Sequence, residues 1–253
     1  MRHPRRAPGR HRDRLRAVVL KMAASTTVIV TGAFGVLGEA VARRFLAGGA
    51  CLGLIDRAPV PAWARASFGV PHRLCGDVDL TDAPAAAAAV DAIAQATGGL
   101  DVLVNVAGGF QWQRLANDGY AAWESMFAIN LKTAVIACSA ALPHLLARGA
   151  GRIINIGAGA AARAVAGMGA YTASKIGVER LSESLAEEFK DRNILVNTVL
   201  PGTLDTPRNR ADMPGADFSR WVSPGAVADV IAFLASEGAR AVTGAAIRVA
   251  GRS

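Results

Sequence analysis

The sequence predicts a doubly wound α/β fold, in which helices cover both faces of one parallel sheet. Short runs of β-branched and aliphatic residues alternate with longer, Ala-rich stretches from residue 25 to the C-terminus. Because these runs are apolar at nearly every position, they indicate strands that are buried on both faces. Strands that alternate with helices are joined by right-handed crossovers, which produce a sheet of this kind.

Seven such runs predict seven strands. The first, TTVIVT, ends directly before a glycine-rich turn, and the others lie between helical stretches. Their short length and β-branched composition distinguish them from buried helices. The predicted strands are Thr26–Thr31, Cys51–Ile55, His72–Cys75, Leu100–Asn105, Arg152–Ile156, Ile194–Leu200 and Ala246–Val249.

Five longer stretches predict helices. One of them is expected to begin after an N-cap at Thr81 and to end at a Gly-Gly pair, a common helix stop signal. The long segment Gly202–Val222 has no apolar periodicity, and we expect it to be a mobile flap over the site. The predicted helices are Val36–Ala47, Asp82–Thr97, Tyr120–Ala147, Ala170–Lys190 and Pro224–Ala235.

The positive charge of the chain is concentrated at its N-terminus. The formal net charge is +8, but residues 1–24 hold eight cations and one anion, which leaves 20 cations and 19 anions in the other 229 residues. We expect residues 1–24 to be a basic, disordered extension, with Met22 as the natural start, and residues 25–253 to form one domain. An organellar transit peptide and a tail that binds nucleic acid are the alternatives. The nearly neutral domain itself argues against nucleic-acid binding.

Composition excludes several other classes of protein. A chain that is 52% apolar and 19% charged is not disordered. No stretch reaches 18 consecutive apolar residues, so we expect no membrane span. Three cysteines without a C-x-x-C spacing and four dispersed histidines argue against a disulfide framework and a metal site. We therefore expect a cytoplasmic protein that holds no metal.

The turn after the first strand has the features of a phosphate-binding loop. Its sequence, TGAFGVLG, joins a strand to a helix, where backbone N–H groups point at a bound pyrophosphate. Asp56 closes the second strand 18 residues after Gly38, close to the spacing of a carboxylate that binds a ribose 2′-hydroxyl. Because Asp56 would repel a 2′-phosphate, NAD(H) is favoured over NADP(H), although Arg57 offers a cation. A structural turn is the alternative interpretation.

Tyr171 and Lys175 form the most specific pair in the sequence. The chain has two tyrosines, so a Tyr-x-x-x-Lys spacing rarely occurs by chance. On a helix these two positions share a face, where an ammonium group is expected to lower the pKa of the phenol. The tyrosine would then act as a general acid or base. The alternative is a half-exposed tyrosine that packs over a lysine stem.

These motifs and their order resemble the short-chain dehydrogenase/reductase family over essentially all of residues 25–253. The segments that carry the resemblance are TGAFGVLG, DLTD at 79–82, NVAG at 105–108, Asn130, YTASK at 171–175, and Pro201-Gly202 with Thr206. The resemblance implies a single Rossmann domain, an NAD(P)-dependent oxidoreductase and assembly into a homotetramer or homodimer. The long helices around Asn130 and Tyr171 would form the subunit contacts.

The resemblance also implies roles for individual residues. Tyr171 would be the proton donor or acceptor, Lys175 would bind the nicotinamide ribose, and Asn130 would hold a relay water. Asp79 and Leu80 would contact the adenine. The cofactor-binding residues implied by the turn and the resemblance are Gly32, Phe34, Gly35, Val36, Leu37, Asp56, Arg57, Asp79, Leu80, Asn105, Ala107, Gly108, Tyr171, Lys175, Pro201, Gly202, Leu204 and Thr206.

The chain departs from the family pattern at the position of the usual catalytic serine. Thirteen residues before Tyr171 stands Ala158, which has no hydroxyl to donate to a substrate oxygen. Val106 replaces the second asparagine of the usual NNAG, and Val36 displaces a glycine of the turn. An alanine at this place and the VAGG-aromatic segment resemble the dihydropteridine reductase branch. Phe110 and Trp112 would then stack on a flat ring, or else cap the sheet edge.

Three hypotheses follow. The first is an oxidoreductase that transfers hydride between nicotinamide and a small carbonyl, alcohol or pterin-like substrate. The second is a dinucleotide-binding protein with little or no activity, for which Ala158 is the evidence. The third is a protein that acts through its basic tail.

Overall fold

The computed structural model describes residues 26–252, except for the side chain of Asp118. The basic extension predicted for residues 1–24 lies outside the described residues. Apolar β-branched runs form the expected strands, within two residues of the predicted ends. They are β1 (Thr27–Thr31), β2 (Cys51–Ile55), β3 (Arg73–Cys75), β4 (Val102–Asn105), β5 (Gly151–Ile156), β6 (Ile194–Pro201) and β7 (Ala246–Val249).

All seven strands belong to one parallel sheet with the order β3-β2-β1-β4-β5-β6-β7. The strand order reverses between β1 and β4, so the chain winds away from this point in both directions. A crevice at the carboxyl ends of the strands opens at such a switch point. Thr31 at the end of β1 and Asn105 at the end of β4 are register partners there. The predicted doubly wound Rossmann fold is confirmed.

The helices cover the two faces of this sheet. A π-helical turn, Phe127–Lys132, separates α4 from α5. In the described residues the α-helices are α1 (Val36–Ala47), α2 (Ala62–Ser67), α3 (Ala83–Thr97), α4 (Leu115–Met126), α5 (Thr133–Arg148), α6 (Gly169–Phe189), α7 (Pro207–Asp212) and α8 (Pro224–Leu234).

The structure corrects the predicted cap of one helix and shows a short helix in the segment predicted as a flap, whose mobility stays a prediction. Asp82, and not Thr81, caps α3, because its carboxylate accepts from the N–H of Ala85 at 3.3 Å while the Thr81 hydroxyl donates to Asp79 at 2.8 Å. The segment Gly202–Val222 contains α7 and a bridge between Leu204 and Val222. Six-residue helices such as α2 and α7 are too short to show a periodic pattern.

Two apolar layers hold the helices to the sheet. On one face α1 and α8 pack over strand residues such as Val30 and Leu54. On the other face α3, α5 and α6 pack over residues such as Ile29 and Leu103. Burial on this scale supplies the main stabilising free energy of the domain. The sheet is therefore a rigid base from which the strand ends project.

The continuous helical segment Gly119–Arg148 meets the length and hydropathy of a membrane span. In the structure this segment lies against the domain: α5 contacts α3, β4 and β5. Its residues Ala134, Ala137 and Ala141 are buried in the core of the chain itself. In its most apolar window 39% is buried within the chain, so one face of this segment belongs to the core.

Candidate active site

One large cleft opens at the switch point, along the carboxyl ends of the strands. Its volume is about 1070 Å³, slightly above the usual range for small-molecule sites. One end is walled by the turn after β1 and the ends of β2 and β3. The other end is walled by α6, the segment after β5 and the segment after β6.

The glycines of the turn after β1 permit a close backbone approach. Gly32 has a φ of +61°, and a Cβ there would lie 2.7 Å from the backbone N and Cα of Ala107. A Cβ on Gly38 would lie 2.7 Å from the Cα of Ala33. Only glycine fits both places, so the turn stays tight and exposes the N-terminus of α1 to the cleft. That end of a helix favours a bound phosphate.

Asp56 connects this turn to the end of β2. Its carboxylate accepts hydrogen bonds from the N–H groups of Phe34 and Ala58, each at 2.9 Å. A carboxylate has about four acceptor positions, so these two bonds leave capacity for further donors. Asp56 and Arg57 both line the cleft. The carboxylate is thus held in place where a hydroxyl-bearing ligand can reach it.

Asp79 lies beyond Asp56 on the same wall. Its carboxylate accepts from the N–H and the hydroxyl of Thr81, each at 2.8 Å. These two hydrogen bonds are the main reason why the pKa of Asp79 is lowered. Leu80 is buried beside it, at 5% exposure. Leu80 thus provides an apolar surface next to the fixed carboxylate of Asp79. This combination suits a flat heterocycle.

Tyr171 and Lys175 lie on one face of α6 at the other end of the cleft. The ammonium of Lys175 donates to the carbonyl oxygen of Ile156 at 2.8 Å, so α6 is fastened to the end of β5. Burial lowers the pKa of Lys175 to about 8 and raises the pKa of Tyr171 to about 12. The sequence predicts a lowered tyrosine pKa, whereas in this structure burial raises it.

Phe110 packs edge-on against Tyr171. The two ring centroids lie 4.9 Å apart with an interplanar angle of 88°, a favourable aromatic arrangement. Phe110 also lines the cleft. It therefore restricts the orientation of the Tyr171 ring and forms part of an apolar wall beside that ring.

Asn130 connects the loop after β4 to α6. It is buried in the π-helical turn, where its Oδ1 accepts from the N–H of Gly109 at 2.9 Å and its Nδ2 donates to the oxygen of Gly109 at 3.1 Å and to Ser174 Oγ at 3.0 Å. A Cβ on Gly108 would lie 2.6 Å from Asn130 Oδ1 and 3.2 Å from Lys175 Nζ. The side chains of Asn130 and Lys175 thus both approach Gly108. The relay water that Asn130 would hold stays a prediction.

The segment after β5 offers no hydroxyl to the cleft. Ala158 is buried at 5% exposure, and its neighbours Gly157, Gly159 and Ala160 line the cleft. The indole of Trp112 packs on Gly167, beneath the guanidinium of Arg114 at 5.6 Å. Trp112 therefore lies outside the cleft wall, whereas Phe110 belongs to it.

Two residues of the predicted cofactor set also lie outside the cleft wall. Asn105 accepts from the Thr31 hydroxyl at 3.3 Å and donates to Asn155 Oδ1 at 2.8 Å, within a buried polar network. Thr206 caps α7 by accepting from the N–H of Asn209 at 3.2 Å. The remaining sixteen residues of that set line the cleft: Gly32, Phe34, Gly35, Val36, Leu37, Asp56, Arg57, Asp79, Leu80, Ala107, Gly108, Tyr171, Lys175, Pro201, Gly202 and Leu204.

Several cleft residues were missed by sequence reasoning. Met168 precedes α6, Asn209 lies in α7 and Met213 follows it. None of these cleft residues belongs to a motif, so nothing in the sequence indicated them. Arg248 lies on the last predicted strand between Ile247 and Val249. A single charge in an apolar strand is a signal that could have singled it out.

The residues present fit a nicotinamide dinucleotide. The tight glycine turn at the N-terminus of α1 would hold the pyrophosphate, and Asp56 the adenosine ribose. Lys175 and Tyr171 would lie at the nicotinamide end. Across residues 26–252, as far as the structure describes their side chains, His, Cys, Asp and Glu form no group that could hold a metal ion.

Known proteins share this sequence and geometry. The family model described as short chain dehydrogenase matches residues 26–216. Cis-4-hydroxycyclohexanecarboxylate dehydrogenase of Sinomonas cyclohexanicum is 36% identical over 239 residues, covering 90% of this chain and 96% of that protein. D-threitol dehydrogenase of Mycolicibacterium smegmatis is 32% identical over 240 residues, covering 88% and 90%.

A solved structure agrees with the sequence matches. Carveol dehydrogenase from Mycobacterium avium, in complex with NAD, superposes with a TM-score of 0.78 and 26% identity, covering 89% of this chain and 96% of that one. The matched fold, the cleft and the family model lead to the same conclusion. The chain belongs to the short-chain dehydrogenase/reductase family and is an NAD(P)-dependent oxidoreductase.

Proposed function

We propose that the protein interconverts a small secondary alcohol and its ketone, with NAD(H) as the favoured cofactor. The observation that carries the proposal is the position of Tyr171 and Lys175 on one wall of the cleft that begins at the glycine turn. The relatives support this reaction class, since their names describe dehydrogenases of D-threitol, of a hydroxycyclohexanecarboxylate and of carveol.

Tyr171 is the proposed proton donor for ketone reduction and the proton acceptor for alcohol oxidation. The dinucleotide supplies or accepts the hydride at its nicotinamide when bound. With a pKa of about 12, the phenol is protonated at neutral pH and ready to donate to a carbonyl oxygen. Oxidation needs the phenolate, so its rate should rise with pH.

Lys175 is proposed to hold the nicotinamide ribose and to stabilise charge on the Tyr171 oxygen. Its pKa of about 8 keeps the ammonium the major form below that pH. The ammonium already uses one donor on the carbonyl of Ile156, and two of its three donors remain. Asn130 is the proposed positioning residue for the relay water.

The absence of a hydroxyl at Ala158 favours a second candidate substrate. A ketone oxygen gains negative charge during reduction. Without a hydroxyl at position 158, it would accept a hydrogen bond from Tyr171 alone on this wall of the cleft. Reduction of a quinonoid dihydropterin consumes a hydride and a proton without forming an alkoxide. Phe110, which lines the cleft beside Tyr171, offers a ring for such a flat substrate. This keeps the dihydropteridine reductase-like activity as the alternative.

The proposed preference for NAD(H) rests on the negative charge of Asp56. A 2′-phosphate on the adenosine ribose would approach the Asp56 carboxylate, which is held by two backbone N–H groups. Repulsion at this place disfavours NADP(H). Arg57 lines the same wall and would partly offset the repulsion, so we expect a preference and not an exclusion.

We also propose a cytoplasmic homotetramer or homodimer. Ala134, Ala137 and Ala141 are buried within the chain, so the subunit contact would use the exposed side chains beside them. Phe127 and Val135 are each 42% exposed, and Ile176 on α6 is 37% exposed. An exposed apolar face of this kind is a common subunit interface.

A substrate panel tests the proposed reaction. Purified protein would receive NAD with D-threitol, carveol or cis-4-hydroxycyclohexanecarboxylate, and NADH with quinonoid dihydropterin, while NADH absorbance is followed. Turnover of the alcohols supports the proposal, and turnover of the pterin alone supports the alternative. Binding of NADH without turnover of any substrate contradicts both and leaves a dinucleotide-binding protein.

A further inference from the structure

Arg248 gives the substrate end of the cleft an exposed positive charge. It belongs to β7, the last strand of the sheet, where it is the register partner of Leu200 on β6. Its side chain is exposed and lines the cleft. The Nε atom of Arg248 lies 3.8 Å from the position that a Cβ on Gly159 would occupy. The guanidinium therefore lies beside the segment that carries Ala158.

The end of β5 and the segment that follows it border both Lys175 and Arg248. Gly159 is three residues after Ile156, whose carbonyl accepts the hydrogen bond from Lys175. Because Gly159 has no side chain, nothing of that residue separates the Arg248 side chain from the cleft. Arg248 thus lines the same cleft as Tyr171 and Lys175.

The charges of the cleft are divided between its two ends. Among the described residues, the charged members of its wall are Asp56, Arg57, Asp79, Lys175 and Arg248. Both carboxylates lie at the ends of β2 and β3, whereas the described wall formed by α6, β7 and the segments after β5 and β6 has only the two cations. Glu179 packs beneath Gly157 and is not part of the wall. This end of the cleft is therefore electropositive.

Arg248 has its donors free for a ligand. Within the part of the chain that the structure describes, it forms no ion pair and no side-chain hydrogen bond. The other large side chains at this end, such as Phe110, Met168 and Met213, are apolar. A planar guanidinium matches a carboxylate by two parallel hydrogen bonds.

We propose that Arg248 selects substrates that carry a carboxylate. The substrate class is then a hydroxy acid or keto acid, whose carboxylate pairs with Arg248 while its hydroxyl or carbonyl group faces Tyr171. The reaction class rests on the proposed function, but the carboxylate site does not depend on hydride transfer. In the cleft wall as the structure describes it, Lys175 is the only other cation at this end.

A binding experiment with matched neutral and anionic probes tests the carboxylate site. The affinities of cyclohexanecarboxylate and cyclohexanecarboxamide would be measured by calorimetry on the full chain, with and without NADH. We expect the carboxylate to bind about tenfold or more tightly, as a charge-assisted hydrogen bond implies. In Arg248→Gln this preference should disappear, and in Arg248→Lys it should persist in part.

Arg240→Gln is the matched control. Arg240 is an exposed arginine that is not part of the cleft wall, so this variant should keep the wild-type preference. Equal affinity for the two probes, a preference that survives in Arg248→Gln, or binding of neither probe would overturn the proposal.

A kinetic comparison separates this inference from the proposed function. With NAD, the hydroxy acid cis-4-hydroxycyclohexanecarboxylate should have a higher kcat/KM than cyclohexanol, and Arg248→Gln should lower the ratio of the two values mainly by raising KM for the acid. Turnover of cyclohexanol with no preference for the acid overturns the role of Arg248 alone. Carboxylate binding that depends on Arg248 without any hydride transfer overturns the proposed function alone.

Discussion

Replacing Lys175 by methionine should make the folded protein more stable at neutral pH. Burial lowers the pKa of this lysine from 10.5 to about 8. At about 1.4 kcal/mol per pH unit, keeping the buried ammonium charged costs roughly 3 kcal/mol. Methionine has a similar length and no charge, but it loses the hydrogen bond to the Ile156 carbonyl, which is worth about 1 kcal/mol. The expected net gain is about 2 kcal/mol.

The gain should depend on pH in one direction. Between about pH 8 and 10.5 the unfolded chain keeps the lysine proton that the folded protein has lost, so the wild type becomes more stable as pH rises through this window. The advantage of Lys175→Met is therefore full below about pH 8, falls to zero at about pH 9.5, and becomes a deficit of about 1 kcal/mol, the lost hydrogen bond, near pH 10.5. Urea unfolding of both proteins without dinucleotide, at neutral pH and at about pH 10, measures this difference in the free energy of unfolding. A variant less stable than wild type at neutral pH, or a difference that does not change with pH, would refute the reasoning.

Three further outcomes are expected. Asp56→Asn should shift the ratio of NADH to NADPH affinity by about tenfold towards NADPH, as titration of each cofactor would measure, and an unchanged ratio would contradict the charge argument. Gly38→Ala should lower the free energy of unfolding by about 1–3 kcal/mol, because its Cβ meets the backbone of the turn. The control Gly35→Ala, whose Cβ would lie 3.5 Å from the Gly32 oxygen, should stay close to wild type, and equal losses would contradict this packing. Asn105→Leu should cost about 1–3 kcal/mol in denaturant unfolding, since Asn155 loses its donor, and an unchanged midpoint would be inconsistent with the buried network.

The sequence was sufficient for the fold because the strands are apolar throughout and the helices between them are long. The strands β2 and β7 and the helix α1 have the predicted ends. The short helices α2 and α7 were missed, since six residues hold fewer than two turns. The segment that contains α7 is closed by the bridge between Leu204 and Val222, a pairing that no local pattern indicates.

The candidate site was predictable where a motif has a fixed spacing. The glycine turn, Asp56 and the Tyr171–Lys175 pair all line the cleft as expected. The direction of the Tyr171 pKa was not predictable, because it depends on burial by residues far away in the sequence. The buried hydrogen bond from Asn105 to Asn155 was not predictable for the same reason, since the two residues are 50 positions apart.

The central claim is that Tyr171 exchanges the substrate proton during hydride transfer in this cleft. Its most direct test is the turnover of Tyr171→Phe beside its affinity for NADH, using whichever alcohol or ketone the wild type accepts. The account predicts a loss of kcat of about 10²–10⁴-fold in a protein that still binds NADH. Turnover close to that of the wild type would contradict the account, because the proton would then pass through another group.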